Sequence, residues 1–386
     1  MKRKVCVVIT ARASYSRVKS LMTAIKNHKS LELQIVTTCS ANYEEFGNVA
    51  KMIEDEGFNI DGKVYSYVGA YSLACSSQTT GLTLIELSAI FEKIKPDIVI
   101  TNGDRYETMA TAICSSYMNI PLVHLQGGDV TGNIDDKVRH AITKLADIHF
   151  ATTEKSYKRL LLLGENPQKV FMFGCPAIDL VRNIYGMKSL DFNPLEKYKN
   201  FGNINSLPEQ YYVVLQHPTT TDIKNARQNY EQTLAAVKKL NMPTFIFSPN
   251  ADASAQELKN ALENFYRHNP SLPIHFFDNM NPEDFIKFIN QSQCLIGNSS
   301  VGIRECAFLG IPVVNIGDRQ SNRERGNNVI DVNYNADDIY NAVKKWEIKG
   351  RPKQSFIYGD GTAGKKIADT LASVDLSTQK KLTYKI

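Results

Sequence analysis

Residues 97–124 read DIVITNGDRYETMATAICSSYMNIPLVH, and this stretch decides the fold. Asp97–Thr101 is a short β-branched run, Glu107–Met118 has helical spacing, and Pro121–His124 is apolar again. Short apolar strands joined through helices are the building unit of a parallel sheet covered on both faces. The same alternation extends outward. Upstream, Lys4–Thr10 (KVCVVIT) and Leu33–Thr38 are predicted strands and Tyr15–Asn27 a helix. A further helix, Leu82–Lys95, carries Leu84, Leu87, Ile90 and Phe91 and stops before Pro96. Downstream, helix Asp136–Leu145, strand His149–Thr152 and helix Glu154–Leu163 continue the series.

The periodicity breaks over Asn183–Glu209, a stretch rich in Asn, Gly, Pro and Lys that reads as a domain linker. A second series follows. Its predicted strands are Tyr211–Gln216, Thr244–Phe247, Ile274–Phe276, Cys294–Ile296, Val313–Ile316 and Val329–Val332. Its helices are Ile223–Leu240, Ala255–His268, Pro282–Ser292, Gly302–Leu309 and Ala336–Trp346. The expectation is an α/β chain of two Rossmann-like, doubly wound domains, residues 1–182 and 183–358.

Composition excludes several classes of function. The chain has 386 residues, 43% of them hydrophobic and 22% charged, with a net charge of +5 and no Lys/Arg block. This is an ordinary globular composition without the basic stripe that tracks nucleic acid. The seven cysteines include no CxxC pair, which fits reduced, buried thiols. Met1–Lys4 precedes only a short apolar run, and no stretch approaches the ~20 apolar residues of a membrane span. A cytoplasmic protein with no membrane partner is expected. No GxxxxGK[ST] occurs, no GxGxxG follows the first strand, and the His and Cys residues lack zinc spacing. Neither NAD nor a metal is expected.

In open parallel sheets ligands bind beyond the carboxyl ends of the strands, so those positions were read for chemistry. Arg12 follows the first strand just before a helix, where it either meets an anion or is a plain loop arginine. Asp104 follows DIVIT in the sequence NGDR, placed for chemistry or as a helix N-cap. Gln126–His140 (QGGDVTGNIDDKVRH) gathers carboxylates, Arg139 and His140 in one glycine-rich loop and helix, which is more than turn chemistry requires. In the second half His217 stands at a strand end. Asn298–Ser300 opens a helix with small polar residues suited to phosphate oxygens, Glu305 is placed to accept from ribose hydroxyls, and Arg319 is a further phosphate candidate.

Together RASYS, NGDR, QGGDVTGNIDDKVRHAITKLAD, LQHPTTTDIK, GNSSVGIRE, GDRQSNRERGNNV and IYGDG resemble the hydrolysing UDP-N-acetylglucosamine 2-epimerases. They occur in family order from residue 12 to residue 361, and the GG-x₃-G-x₂-D-x₃-RH block separates the hydrolysing from the non-hydrolysing enzymes. The resemblance implies a glycosyltransferase-B architecture with a cleft between two domains. It also implies a C-terminal helix, around 359–386, that returns to the first domain. The implied reaction turns UDP-N-acetylglucosamine and water into UDP and N-acetylmannosamine for sialic acid synthesis. It proceeds by anti elimination of UDP to a 2-acetamidoglucal, which is then hydrated. Asp104 and Asp135 become the acid/base carboxylates, and His217 lies near diphosphate and sugar. The correspondence adds Arg12, Ser16, Arg105, Asp129, Arg139, His140, Asn250, Ser299, Ser300, Glu305 and Arg319 as substrate or UDP contacts. A homodimer or homotetramer is implied, for which Leu82–Lys95 offers one candidate face.

Two residues depart from the pattern. The family often has Glu, as a third catalytic carboxylate, where this chain has Gln126, and an acidic residue where it has Ser14. An amide is no general base at neutral pH. Either the proton work is redistributed, with Asp129 as one candidate, or the sugar differs. The alternatives are therefore the same reaction on a UDP- or GDP-linked 2,4-diacetamido-6-deoxy sugar, a glycosyltransferase of this fold, and an inactive nucleotide-sugar sensor.

Overall fold

The computed structural model describes residues 2–69, 73–131, 134–219, 222–249 and 255–383. The chain divides into two compact units. One comprises residues 1–130, 134–180 and 358–386, the other 131–133 and 181–357.

In the first unit the strands are β1 (Arg3–Ile9), β2 (Leu31–Thr38), β3 (Gly62–Val64), β4 (Ile98–Asn102), β5 (Leu122–Leu125), β6 (Ile148–Ala151) and β7 (Val170–Met172). The helices between them are α1 (Arg12–Asn27), α2 (Val49–Asp55), α3 (Leu73–Ile94), α4 (Thr108–Tyr117), α5 (Ile134–Leu145) and α6 (Glu154–Leu162). The strands pair in parallel in the order β3-β2-β1-β4-β5-β6-β7. The order reverses between β1 and β4, and such a switch point is where doubly wound sheets bind ligands. Alternation along β1 shows why the strands read as continuous apolar runs. Val5, Val7 and Ile9 enter one core with α1, while Cys6 and Val8 enter the opposite core with Leu87, Phe91, Ala112 and Ile142. On α1 the buried residues Tyr15, Val18, Leu21, Met22 and Ile25 form one helical stripe.

Helix α7 (Ala177–Ile184) carries the chain onward. The second unit contains α8 (Pro194–Lys197), β8 (Asn200–Gly202), β9 (Tyr212–Leu215), α9 (Ala226–Leu240), β10 (Thr244–Phe247), α10 (Ala255–His268), β11 (Ile274–Phe277) and α11 (Pro282–Asn290). It continues with β12 (Cys294–Gly297), α12 (Ser300–Ile303), α13 (Glu305–Leu309), β13 (Val313–Ile316), β14 (Val329–Val332) and α14 (Ala336–Lys349). The sheet order is β14-β13-β12-β9-β10-β11-β8, with its switch point between β9 and β12. Only β8 pairs antiparallel among the described strands of this sheet. Trp346 on α14 closes one face and donates from its indole to the Val313 carbonyl at 3.1 Å.

The last helix, α15 (Ala363–Leu371), lies in the first unit against α1. A Cβ on Gly364 would come within 2.9 Å of the Leu21 nitrogen, so glycine permits this close packing. Asp179 accepts from the Ala363 and Gly364 amides at 2.9 and 2.7 Å and so caps the helix from outside.

The structure corrects the sequence reading in two places. The stretch 183–209, read as a linker of little periodicity, holds α8 and the edge strand β8. The expected helix Gly302–Leu309 is two short helices broken at Arg304, whose backbone lies at φ −104°, ψ −70°. On α3 the aromatic Phe91 and Leu87 face the core, and the exposed apolar residues are Leu82 and Ile85. Among the described residues no helix is long and apolar enough to cross a membrane, and no cluster of three His, Cys, Asp or Glu side chains could hold a metal ion.

Candidate active site

The first unit assembles its carboxylates around one arginine. Arg139, on the second turn of α5, has no solvent exposure. A buried guanidinium has to be paired. Its Nη2 donates to Asp104 at the carboxyl end of β4, and its Nη1 donates to Asp136 on the preceding turn and, at 3.0 Å, to the Asp129 carbonyl. Asp104 is therefore not the N-cap of α4; that position falls to Glu107. Asp135 lies beside Asp136 in the first turn of α5 and is half-buried. His140 is half-buried too, and burial pushes its imidazole below the usual range.

The neighbouring loops are tied down by groups the sequence reading passed over. His124 is buried on β5. Its Nε2 lies 2.9 Å from the Gly103 carbonyl and its Nδ1 lies 3.2 Å from the Thr143 hydroxyl. The carbonyl can only accept, so Nε2 carries the proton. Burial lowers this imidazole to about 3 and keeps it neutral. Gly103, immediately before Asp104, is thus fixed from below. Gln126 is buried with φ +66°, a left-handed conformation unusual for a residue with a side chain. Its Oε1 accepts from Arg17 at 3.4 Å and its Nε2 approaches the Cys175 sulfur at 3.6 Å. Asp129 accepts at one oxygen from Thr152 and Ser156, at 2.7 and 2.6 Å, so its carboxylate anchors the loop.

At the carboxyl end of β1, Arg12 begins α1 and is half-buried, and burial lowers its guanidinium to about 10. Ser16 donates to the Ala13 carbonyl at 3.2 Å. Ser14 accepts from the Ala11 amide at 3.0 Å and donates to its carbonyl at 2.9 Å. The Ser14 hydroxyl thus secures the first turn of α1. Arg105 pairs with the buried Glu107 through Nε at 2.6 Å.

In the second unit the switch point is closed by Asn298, which the sequence places in a phosphate-binding turn but whose side chain bridges two strand ends. Its side chain accepts from the His217 amide at 2.8 Å and donates to the His217 carbonyl at 2.9 Å, joining the carboxyl ends of β9 and β12. Its own carbonyl accepts from Arg319 at 3.2 Å and Gln320 at 2.9 Å. Gly297 is required beside it, because a Cβ there would lie 2.1 Å from the Leu215 oxygen. Ser299 caps α12, and Ser300 accepts from the buried Arg304 at 2.9 Å. Glu305 is buried, and its Oε2 makes no hydrogen bond among the described residues. Asn250 lies outside the described residues.

Each sheet thus brings polar, chemically able residues to its switch point, and comparison with known proteins gives these places a family. The chain is 36% identical to the GDP/UDP-N,N'-diacetylbacillosamine 2-epimerase (hydrolyzing) of Campylobacter jejuni over 350 residues, covering 90% of this chain and 88% of the relative. It is 29% identical to the UDP-N,N'-diacetylbacillosamine 2-epimerase (hydrolyzing) of Legionella pneumophila, over 98% of both chains. Its fold matches the crystal structure of UDP-GlcNAc 2-epimerase from Neisseria meningitidis bound to UDP-GlcNAc, with a TM-score of 0.77 at 18% identity, over 95% of this chain and 99% of that one. The sequence model of the UDP-N-acetylglucosamine 2-epimerases matches residues 23–372, more than half of the chain, and the chain belongs to that family.

Proposed function

We propose that this protein is a hydrolysing 2-epimerase whose substrate is a nucleoside-diphosphate-linked 2,4-diacetamido-6-deoxy sugar, the N,N'-diacetylbacillosamine class. The arrangement that carries the reaction class is the pair Asp104 and Asp136 bridged by the buried Arg139, with Asp135 alongside, at the switch point of the first sheet. The identity of the sugar is supported by the two relatives that carry that name. The departure at Gln126 points the same way, since it changes the residue nearest in kind to a third catalytic carboxylate.

The chemistry runs in two balanced steps. A carboxylate of the Asp104/Asp135 set takes the C2 proton, the C2–H electrons form the C1=C2 bond, and the C1–O bond breaks to release the nucleoside diphosphate. Water then adds across the double bond, its oxygen to C1 and a proton to C2 from the opposite face, which inverts C2. Positioned acid/base groups account for about 10²–10⁴-fold of such a rate. Arg139 has no open surface, so its part is to hold Asp104 rather than to meet the substrate. In the second unit the nucleotide is assigned to Ser299, Ser300, Glu305, His217 and Arg319. The unsatisfied Oε2 of Glu305 is the acceptor that a ribose hydroxyl would complete.

The test is incubation with UDP- and GDP-linked diacetylbacillosamine and with UDP-N-acetylglucosamine in D2O, with the released sugar identified by NMR. The expected product is the 2-epimer of diacetylbacillosamine with one deuteron at C2, and Asp104→Asn is expected to lower its formation about 10²–10⁴-fold. Turnover of UDP-N-acetylglucosamine alone would refute the sugar assignment, and an undiminished Asp104→Asn would refute the role of that carboxylate.

A further inference from the structure

Glu107 is the most completely buried carboxylate beside the candidate site, and nothing in the reaction scheme uses it. Its side chain is 1% exposed. It occupies the N-cap of α4, yet it makes no capping hydrogen bond. Glutamate is also not among the residues that favour this position. Helix initiation therefore does not explain why a carboxylate is buried here. A charge removed from water has to be compensated, and Arg105, two residues back, supplies compensation: its Nε donates to Oε1 at 2.6 Å.

Arg105 is held in other ways as well. Its carbonyl accepts from the Thr108 amide at 3.0 Å and from the Thr108 hydroxyl at 2.5 Å. Its guanidinium lies 5.6 Å from the centre of the Tyr106 ring. The side chain is 19% exposed against 1% for its partner, so the pair runs from the interior to the surface with the cation outermost. It does so next to Asp104, at the carboxyl end of β4. We infer that Glu107 is a positioning residue. It fixes the Arg105 guanidinium in one orientation so that its charge meets the departing diphosphate while Asp104 works at the neighbouring carbon. Nε is engaged by the carboxylate, and the planar fork is thereby set in direction before the ligand arrives. The inference rests on the proposed nucleotide-sugar reaction for the identity of the anion.

A double-mutant cycle on the full chain tests it, with Arg105→Ala, Glu107→Gln and the pair. kcat/KM is measured on whichever nucleotide sugar the wild type consumes, UDP affinity by calorimetry, and Tm by circular dichroism. Each single variant is expected to lose about 10- to 100-fold in kcat/KM, the worth of a charge-assisted hydrogen bond. The double variant is expected to be no worse than Arg105→Ala, because Glu107 acts only through Arg105. Arg105→Ala strands a buried carboxylate, so its Tm is expected to fall and to recover when Glu107→Gln is added. That Tm comparison decides even if Glu107→Gln alone does not fold, and it does not depend on which sugar is turned over. Losses that multiply in the double variant, or a Tm that drops further instead of recovering, would overturn the inference. A wild type that consumes no nucleotide sugar would overturn the proposed reaction instead, leaving the Tm cycle to judge the pair.

Discussion

Replacing Arg139 by Met removes the cation from the centre of the carboxylate cluster and keeps most of its volume. Three acceptors lose a donor at once: Asp104, Asp136 and the Asp129 carbonyl. The side chains of Asp104 and Asp136 are only 11% and 20% exposed, so water replaces little of what is lost. Breaking a buried ion pair by removing one partner costs about 3–5 kcal/mol. A large part of that is expected here, discounted somewhat for the exposure of Asp136. The chain has two compact units, so a single unfolding free energy is not assumed, and the quantity to follow is the urea midpoint of the transition that carries the first unit. Arg139→Lys keeps the charge but cannot reach three acceptors in one plane, and it is expected to fall between Met and wild type. The informative partner is Asp104→Asn in the Arg139→Met background. It removes a stranded charge, so the midpoint is expected to rise relative to Arg139→Met while turnover stays lost. An Arg139→Met midpoint equal to wild type, or a further drop on adding Asp104→Asn, would refute the claim that this arginine is there to compensate buried carboxylates.

Two further outcomes follow from buried histidines. His124→Gln retains an N–H at the position of Nε2 and is expected to keep the Gly103 carbonyl satisfied, with kcat close to wild type and the same pH–rate profile from pH 5 to 8. His124→Leu leaves that carbonyl and the Thr143 hydroxyl without partners, costing about 1–3 kcal/mol and lowering kcat, and full activity in the Leu variant would remove His124 from the positioning scheme. The second outcome concerns Glu165, which accepts from His149 at 3.0 Å, Lys144 at 2.7 Å and Lys380 at 2.5 Å. Burial alone raises its carboxyl, but these donors outweigh burial and lower it from 4.5 to about 2. A carboxylate whose folded pKa is depressed adds stability that is present above its unfolded pKa and is lost as pH falls through the folded value. The margin of wild type over Glu165→Gln is expected to be about 3 kcal/mol near pH 6 and to vanish between about pH 4.5 and 2. A Tm difference that stays constant across that window would contradict it.

The fold was legible because its strands are buried on both faces. DIVIT, PLVH, YYVVLQ and CLI have no polar side to show, and each turned up within a residue or two of the predicted place. What escaped notice was short or lay at an edge. Gly62–Val64, Val170–Met172 and Asn200–Gly202 are three-residue strands at the rims of the two sheets. A strand that short has too few side chains to display a period, and an edge strand is held by backbone pairing that no composition reveals. Asn200–Gly202 was further disguised by the Asn- and Gly-rich sequence around it. The break at Arg304 was hidden for a different reason. VGIRECAFL is a sound helical pattern locally, and the interruption lies where Arg304 turns inward to reach Ser300.

The site was legible by position but not by partnership. Strand ends can be read from a sequence, so Asp104, His217 and Arg319 could be singled out as candidates. Side chains that meet across the sheet cannot, so His124 and Glu107 passed as a strand end and a helix start, and Asn298 was read for phosphate rather than for its bond to the His217 backbone. Gln126 shows how much this distinction matters. From sequence it stands for a missing carboxylate. In the structure its amide lies buried between a donor, Arg17, and a thiol sulfur, Cys175, on a backbone held at φ +66°. A residue kept in that conformation costs about 1–3 kcal/mol and persists only where the surroundings impose it. Here the ladder bond from the Gln126 amide to the Phe150 carbonyl, at 3.2 Å, and the two glycines that follow impose it. The backbone thus directs this side chain whichever of Glu or Gln it bears. The exchange alters proton chemistry and hydrogen-bond polarity at a fixed point, since an amide donates where a carboxylate only accepts. A second acetamido group on the sugar presents a carbonyl oxygen that needs such a donor. On the proposed function the substitution reads a different substrate, while the Arg139–Asp104 ion pair stands beside it.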